Sequence, residues 1–147
     1  MSSRSPACQS FSTMANEHRE LTDLFTKLTE AVLRDGQGKG PVEELIEVIA
    51  DRIQTHFQHE ENGGYFTAII ERAPRLMSRA EQLVEQHASI LEQVEMLRIL
   101  VRSGVESPAW WNRIRSDLNA LQLVLSQHER AEEELVKEAF GGEHAAR

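Results

Sequence analysis

Four segments of the chain carry apolar residues at alternating spacings of three and four, and this periodicity most constrains the fold. Such spacing places the apolar side chains on one face of an α-helix, as on the inward seam of a helical bundle. Apolar and polar residues do not alternate within the segments, so strands are not predicted. The four seams run from Phe11 to Val32, from Val42 to Gly63, from Leu76 to Val101 and from Ile114 to Ala139.

Glycine and proline separate these segments. Three glycines and a proline lie within residues 35–41, and further breaks fall at residues 62–64, at Pro74 and at residues 103–108. Connections this short favour helices that return alongside one another. The sequence therefore predicts an all-α, antiparallel up-down-up-down four-helix bundle over residues 11–140. A flexible N-terminal tail is predicted for residues 1–10 and a C-terminal tail for residues 141–147.

Six polar residues interrupt the seams, so that each predicted helix has a histidine on its inward face. Two helices add a glutamate one turn after the histidine. A seam takes two positions in seven, so chance would place four given histidines there with odds of roughly 1% or less. Helix rise also places the four histidines near the same end of the core, within roughly one turn of each other. The six residues are His18, His56, Glu60, His87, His128 and Glu132, whereas His59 and His144 lie off the seam.

Burying these imidazoles and carboxylates without partners would cost several kcal/mol for each group. A metal ion removes this cost, because it neutralises the carboxylates and uses the imidazole lone pairs. Mixed nitrogen and oxygen ligands suit iron, manganese or zinc, and six ligands exceed what one catalytic zinc needs. Two metal ions bridged by Glu60 and Glu132 fit the number of ligands better.

The motifs around these residues resemble those of the hemerythrin-like (HHE cation-binding) family. They are His18 in EHREL, His56 at the start of HFQHEE, His87 in EQHASIL, and His128 followed by Glu132 and Glu133. The resemblance covers about residues 11–140. It implies two non-haem iron ions with carboxylate and oxo or hydroxo bridges. By the same resemblance, the ligands would be His18, His56, Glu60, His87, His128 and Glu132.

The chain departs from the oxygen-carrying hemerythrins, which have two histidines four residues apart on the third helix. The positions four before and four after His87 are Leu83 and Leu91. The site therefore looks more like the carboxylate-richer members that sense iron or oxygen, or handle iron and nitric oxide. His59 lies beside the seam, where it could fill the missing coordination position or remain on the surface.

The identity of the last carboxylate ligand is also open. Oxygen carriers place it five residues after the last histidine, which here is Glu133. Glu132 lies about 40° round the helix from His128, whereas Glu133 lies about 140° round. Glu132 is therefore the preferred ligand, with Glu133 as the alternative.

Charge and composition narrow the function further. The formal net charge of −8 argues against duplex DNA or an anionic membrane as a partner. Cys8 is the single cysteine, and no signal segment or membrane span is evident, so we expect a cytoplasmic protein. No effector domain is recognisable, which leaves any protein partner unknown.

The predicted function is a metal-binding, hemerythrin-like di-iron domain. Its ligand would be a small diatomic molecule such as oxygen or nitric oxide, and its role would be sensing, redox chemistry or iron sequestration. One alternative is a di-iron oxidase of ferroxidase type, so whether the protein is an enzyme stays open. The second alternative is a metal-free interaction bundle.

Overall fold

The computed structural model describes the backbone of residues 6–141 and the side chains of residues 11–141 apart from residue 35. The described chain is all helical and contains no strand, as predicted. Four long helices are joined by short connections that include two single-turn 3₁₀ helices and one short α-helix. The α-helices are α1 (Pro6–Leu33), α2 (Gly40–Asn62), α3 (Tyr65–Arg72), α4 (Met77–Ser103) and α5 (Pro108–Phe140).

The helix boundaries differ from the prediction at the N-terminus. Helix α1 begins at Pro6, so residues 6–10, which were predicted to be a flexible tail, are helical. Helix α5 ends at Phe140. Residues 1–5 and 142–147, with the rest of the two predicted tails, lie outside the described residues.

The short helix α3 was not predicted from the sequence. It follows Gly64, whose φ of +89° lies in the left-handed region that favours glycine, and this conformation turns the chain sharply after α2. Tyr65, Phe66 and Ile69 of α3 are buried. The helix therefore adds an apolar surface to the end of the bundle, at a place where the apolar periodicity predicts no helix.

The opposite end of the bundle is closed by polar contacts to the end of α4. The Ser107 hydroxyl accepts a hydrogen bond from the Trp110 backbone N–H at 3.1 Å and caps α5. The Trp110 indole N–H donates to the Leu100 carbonyl at 3.0 Å. The Lys39 ammonium donates to the carbonyls of Val101, Arg102 and Gly104 at 2.9–3.2 Å, where the helix dipole favours a cation.

Among the described side chains, the core consists of two apolar clusters rather than one. The larger lies among α1, α2, α4 and α5 and extends to Trp110 and Trp111. The smaller combines α3 with one end of α1, α4 and α5, and includes Phe11, Tyr65 and Leu135. Each fully buried Leu, Ile or Phe contributes about 1.5–3 kcal/mol relative to an exposed one, so both clusters stabilise the packing. The buried histidines and glutamates belong to neither cluster.

No helix in the described part of the chain is both long enough and apolar enough to cross a membrane.

Candidate metal centre

The structure brings together all six polar residues that interrupt the seams. His18 comes from α1, His87 from α4, and α2 and α5 each supply a histidine and a glutamate four residues apart. The side chains of Glu60 and Glu132 are completely buried. The side chain of His18 is 12% exposed, and those of the other three histidines are 1–3% exposed. A four-residue spacing puts two side chains on the same helix face, one turn apart, which is why each pair enters the same layer.

Glu60 lies at the centre of the cluster and divides its two oxygens between two pairs of histidines. Its Oε2 is 3.0 Å from Nε2 of His56 and 3.7 Å from Nε2 of His18. Its Oε1 is 2.8 Å from Nε2 of His87 and 3.9 Å from Nε2 of His128. One carboxylate therefore contacts histidines from all four long helices.

Glu132 divides its oxygens in the same way. Its Oε1 is 3.4 Å from Nε2 of His18, and its Oε2 is 3.4 Å from Nε2 of His128. The eight inward atoms thus form two sets of four, each with two imidazole nitrogens and one oxygen from each carboxylate. We call the set with His18 and His56 the first set, and the set with His87 and His128 the second set.

All eight inward atoms are buried, and while the imidazoles are neutral none has a hydrogen-bond partner, because Nε2 and the carboxylate oxygens are then all acceptors. Buried polar atoms are normally paired, and eight unpaired atoms in one layer would be costly for a closed core. Ligands at about 2.1 Å from a metal ion and at 90–120° to each other lie roughly 3.0–3.6 Å apart, close to the separations found here. The buried histidine and glutamate groups could therefore hold a metal ion.

The outward nitrogens of three of these histidines are held by acceptors from neighbouring helices. Nδ1 of His56 is 2.8 Å from Oε1 of Glu17, and Nδ1 of His87 is 2.7 Å from Oε2 of Glu61. Nδ1 of His128 is 2.8 Å from Oε1 of Gln86. An imidazole that donates from Nδ1 presents the lone pair of Nε2 inward, which is the arrangement of metal-bound histidines.

The two alternative candidate ligands, His59 and Glu133, do not join the cluster. His59 lies on the outside of α2, with its side chain 49% exposed, and Nδ1 is 2.6 Å from Oε2 of Glu17. Glu133 is exposed. Helix geometry explains both results, because α2 and α5 direct one face inward, and the residues next to Glu60 and Glu132 fall beside that face. His144 lies outside the described residues.

The protein atoms of the cluster favour positive charge on its histidines. Burial lowers the pKa of His18, but the carboxylates of Glu132 and Glu60 outweigh this effect and raise the pKa to about 10. The same balance raises the pKa of His128 to about 9. Burial raises the pKa of Glu132, whereas four surrounding histidines outweigh burial and lower that of Glu60. A metal cation supplies the positive charge that the carboxylates require, and binding it displaces protons from the imidazoles.

Aromatic rings enclose the second set. The Phe57 ring stacks on His87 with centroids 3.9 Å apart and contacts His128 edge-on. Phe66 of α3 lies on another side of His87, with centroids 6.2 Å apart. Water is therefore kept from this side of the cluster, and the lower local dielectric strengthens electrostatic contacts inside it.

Sequence reasoning missed the residues that orient the histidines. Glu17, Glu61 and Gln86 each directly precede or follow a seam position, which puts them beside the inward face and within reach of a neighbouring helix. This adjacency is the only local signal for them. Adjacency to a seam does not distinguish these three residues from other polar ones, because 27% of the chain is charged and many exposed residues lie beside a seam position.

Comparison of the chain with models of protein families, with curated proteins and with solved structures gave no match. The resemblance to the hemerythrin-like family therefore stays a prediction from the motifs.

Proposed function

We propose that the protein is a hemerythrin-like domain that holds two non-haem iron ions and binds a small ligand such as oxygen or nitric oxide. The observation that carries this proposal is the division of the eight unpaired inward atoms into two equal sets that share both carboxylates. A carboxylate that gives one oxygen to each of two sets is suited to bridge two metal ions. One ion would leave half of these buried atoms unpaired, which makes a dinuclear centre the more stable arrangement.

The proposal includes an antiparallel up-down-up-down arrangement of α1, α2, α4 and α5. Contacts between neighbouring helices support it. In two contacts between the same pair of helices, the residue number increases on one helix and decreases on the other, as it does when the helices are antiparallel. The supporting pairs are Glu20–Arg52 and Glu17–His56, Glu47–Arg98 and Glu61–His87, and Leu100–Trp110 and Gln86–His128.

The ligand sets leave room for an exogenous ligand. Each set offers four protein atoms, whereas an iron ion with nitrogen and oxygen ligands takes up to six. When bound, iron would supply reversible electron transfer and open coordination positions for the ligand. Leu83 and Leu91 occupy the two positions, four residues from His87, at which oxygen carriers would have a further histidine, so the second set has only two imidazoles. We therefore propose sensing, redox chemistry or iron sequestration rather than reversible oxygen transport.

Anaerobic titration of untagged protein with Fe(II) tests this proposal. We expect saturation at two ions per chain and, after exposure to oxygen, visible absorption that changes on adding azide or nitric oxide. Repeated oxidation of more than two Fe(II) per chain would support the ferroxidase-type alternative. Failure to bind Fe(II), Mn(II) and Zn(II) would contradict the proposal and leave the metal-free interaction bundle.

The carboxylates that orient the histidines give a prediction specific to each metal position. We expect Glu17→Ala to weaken the ion at the first set and Glu61→Ala to weaken the ion at the second set. The effect should be about 10- to 100-fold in affinity, since outer-sphere partners of metal-bound histidines typically contribute that much. Chelator competition, followed by counting the ions that remain, measures it. Each variant should lose one ion first, and loss of both ions together in both variants would contradict separate positions.

A further inference from the structure

A cleft of about 530 Å³ opens between α1 and α5 and reaches the candidate centre at His18. Among the four clustered histidines, His18 is the one with appreciable exposure, and the other three lie behind it in the core. The cleft also passes Tyr65, the first residue of α3. It is therefore a route by which a molecule from solvent could reach the first set of ligands.

Tyr65 brings a polar group to this cleft from within the smaller apolar cluster. The residue is 3% exposed, and its ring packs edge-on against Phe11 and Phe66, with centroids 5.4 and 5.1 Å apart. No hydrogen bond joins its hydroxyl to another described residue. The hydroxyl is not one of the fully buried unpaired polar atoms, and Tyr65 lines the cleft, so the hydroxyl can donate to a molecule that enters there.

The hydroxyl is available as a donor at neutral pH. In the metal-free protein, burial, followed by the negative charges of Glu132 and Glu60, raises the pKa of Tyr65 well above its usual value, so the hydroxyl keeps its proton there. Two divalent ions and two bridging carboxylates would leave the centre with a net charge of about +2, which attracts an anion. A donor beside such a centre favours a ligand that carries negative charge when bound.

We propose that this cleft is the ligand-binding pocket of the centre, and that the Tyr65 hydroxyl donates a hydrogen bond to a small anionic ligand bound beside His18. The inference rests on the proposed function, because it needs a metal ion at the first set. Because charges of both signs line the rim of the cleft, the rim does not select for the charge of the ligand. The metal centre and Tyr65 make that selection. The rim charges are Arg19, Asp23, Glu129, Glu133 and Lys137.

Azide binding to the iron-loaded protein tests the role of the hydroxyl. Tyr65→Phe removes only the hydroxyl and keeps the ring contacts with Phe11 and Phe66. We expect this variant to retain two irons per chain and to bind azide about tenfold more weakly or worse, the usual effect of losing a hydrogen bond to a charged group. An unchanged Kd would overturn the donor role. A tyrosinate-to-iron absorption band in the unmodified protein that Tyr65→Phe abolishes would also overturn it, since Tyr65 would then ligate iron directly.

Filling the cleft tests the route. Ala15 is exposed and lines the cleft, so Ala15→Trp should slow azide association about tenfold while iron content stays at two per chain. Ala120→Trp, at an exposed position of α5 that does not line the cleft, is the matched control and should leave the rate unchanged. Equal rates in Ala15→Trp and the unmodified protein would overturn the proposed pocket. Failure of the proposed function would appear differently, as unmodified protein that binds no iron.

Discussion

Glu60→Gln is expected to abolish binding of both metal ions while the helices remain intact. Glu60 contributes one oxygen to each ligand set and contacts the histidines of all four long helices. Glutamine keeps the size of the side chain, but it removes the negative charge and replaces one of the two ligating oxygens with an NH2 group, which does not ligate. We expect each ion to bind at least 100-fold more weakly, a larger effect than loss of an outer-sphere partner causes.

Metal analysis after dialysis measures this effect, and circular dichroism reports whether the variant is folded. Glu133→Gln is the matched control, because it makes the same chemical change at an exposed residue that directly follows Glu132. The control should retain two ions per chain. A folded Glu60→Gln protein that still binds two ions would refute a centre bridged by this carboxylate. Loss of metal in Glu133→Gln alone would instead identify Glu133 as the ligand.

Metal binding is expected to raise the melting temperature by about 10–20 °C. A ligand that binds only the folded state at 100 times its Kd adds about 2.7 kcal/mol to the free energy of unfolding. Two ions, each at 100 times its Kd, would add about 5 kcal/mol, and each kcal/mol raises the melting temperature of a domain of this size by about 2–4 °C. The gain arises at the eight buried inward atoms, which the metal ions would ligate.

Thermal unfolding of metal-free protein, with and without Fe(II), Mn(II) or Zn(II), measures the shift. Hydrogen exchange should slow around His56 and His128 and change little around Trp110, which lies in the larger apolar cluster. The Glu60→Gln variant is the control and should show no shift. If none of the three metals moves the melting temperature of the unmodified protein, the six residues do not form a metal site.

The all-helical fold could be predicted because its signal is local. A spacing of three and four fixes which side of a helix faces the core, whatever the helix packs against. Seam residues such as Leu21, Ile53, Ile90 and Leu121 are buried accordingly. Helix α3 escaped prediction because eight residues are too few to show a helical period, and its burial depends on the bundle end that it covers.

The membership of the candidate site was also readable from the sequence. Each of the six residues occupies a seam position, and helix rise places the four histidines near one level. The choice between Glu132 and Glu133 follows from the same angular argument, and the structure puts Glu132 inside and Glu133 outside. These properties belong to single helices, so they do not require knowledge of the packing.

What only the tertiary structure decided is how these residues combine. The pairing of His18 with His56 and of His87 with His128 depends on the rotation and depth of each helix relative to its neighbours. The contact between His59 and Glu17 of α1, which holds His59 outside the cluster, also depends on how α1 and α2 are placed relative to each other. Rotation and depth are set by side chains far apart in sequence that interlock in the two apolar clusters. No spacing along one helix encodes those contacts, so the sequence determined which residues face inward, and the packing determined which of them meet.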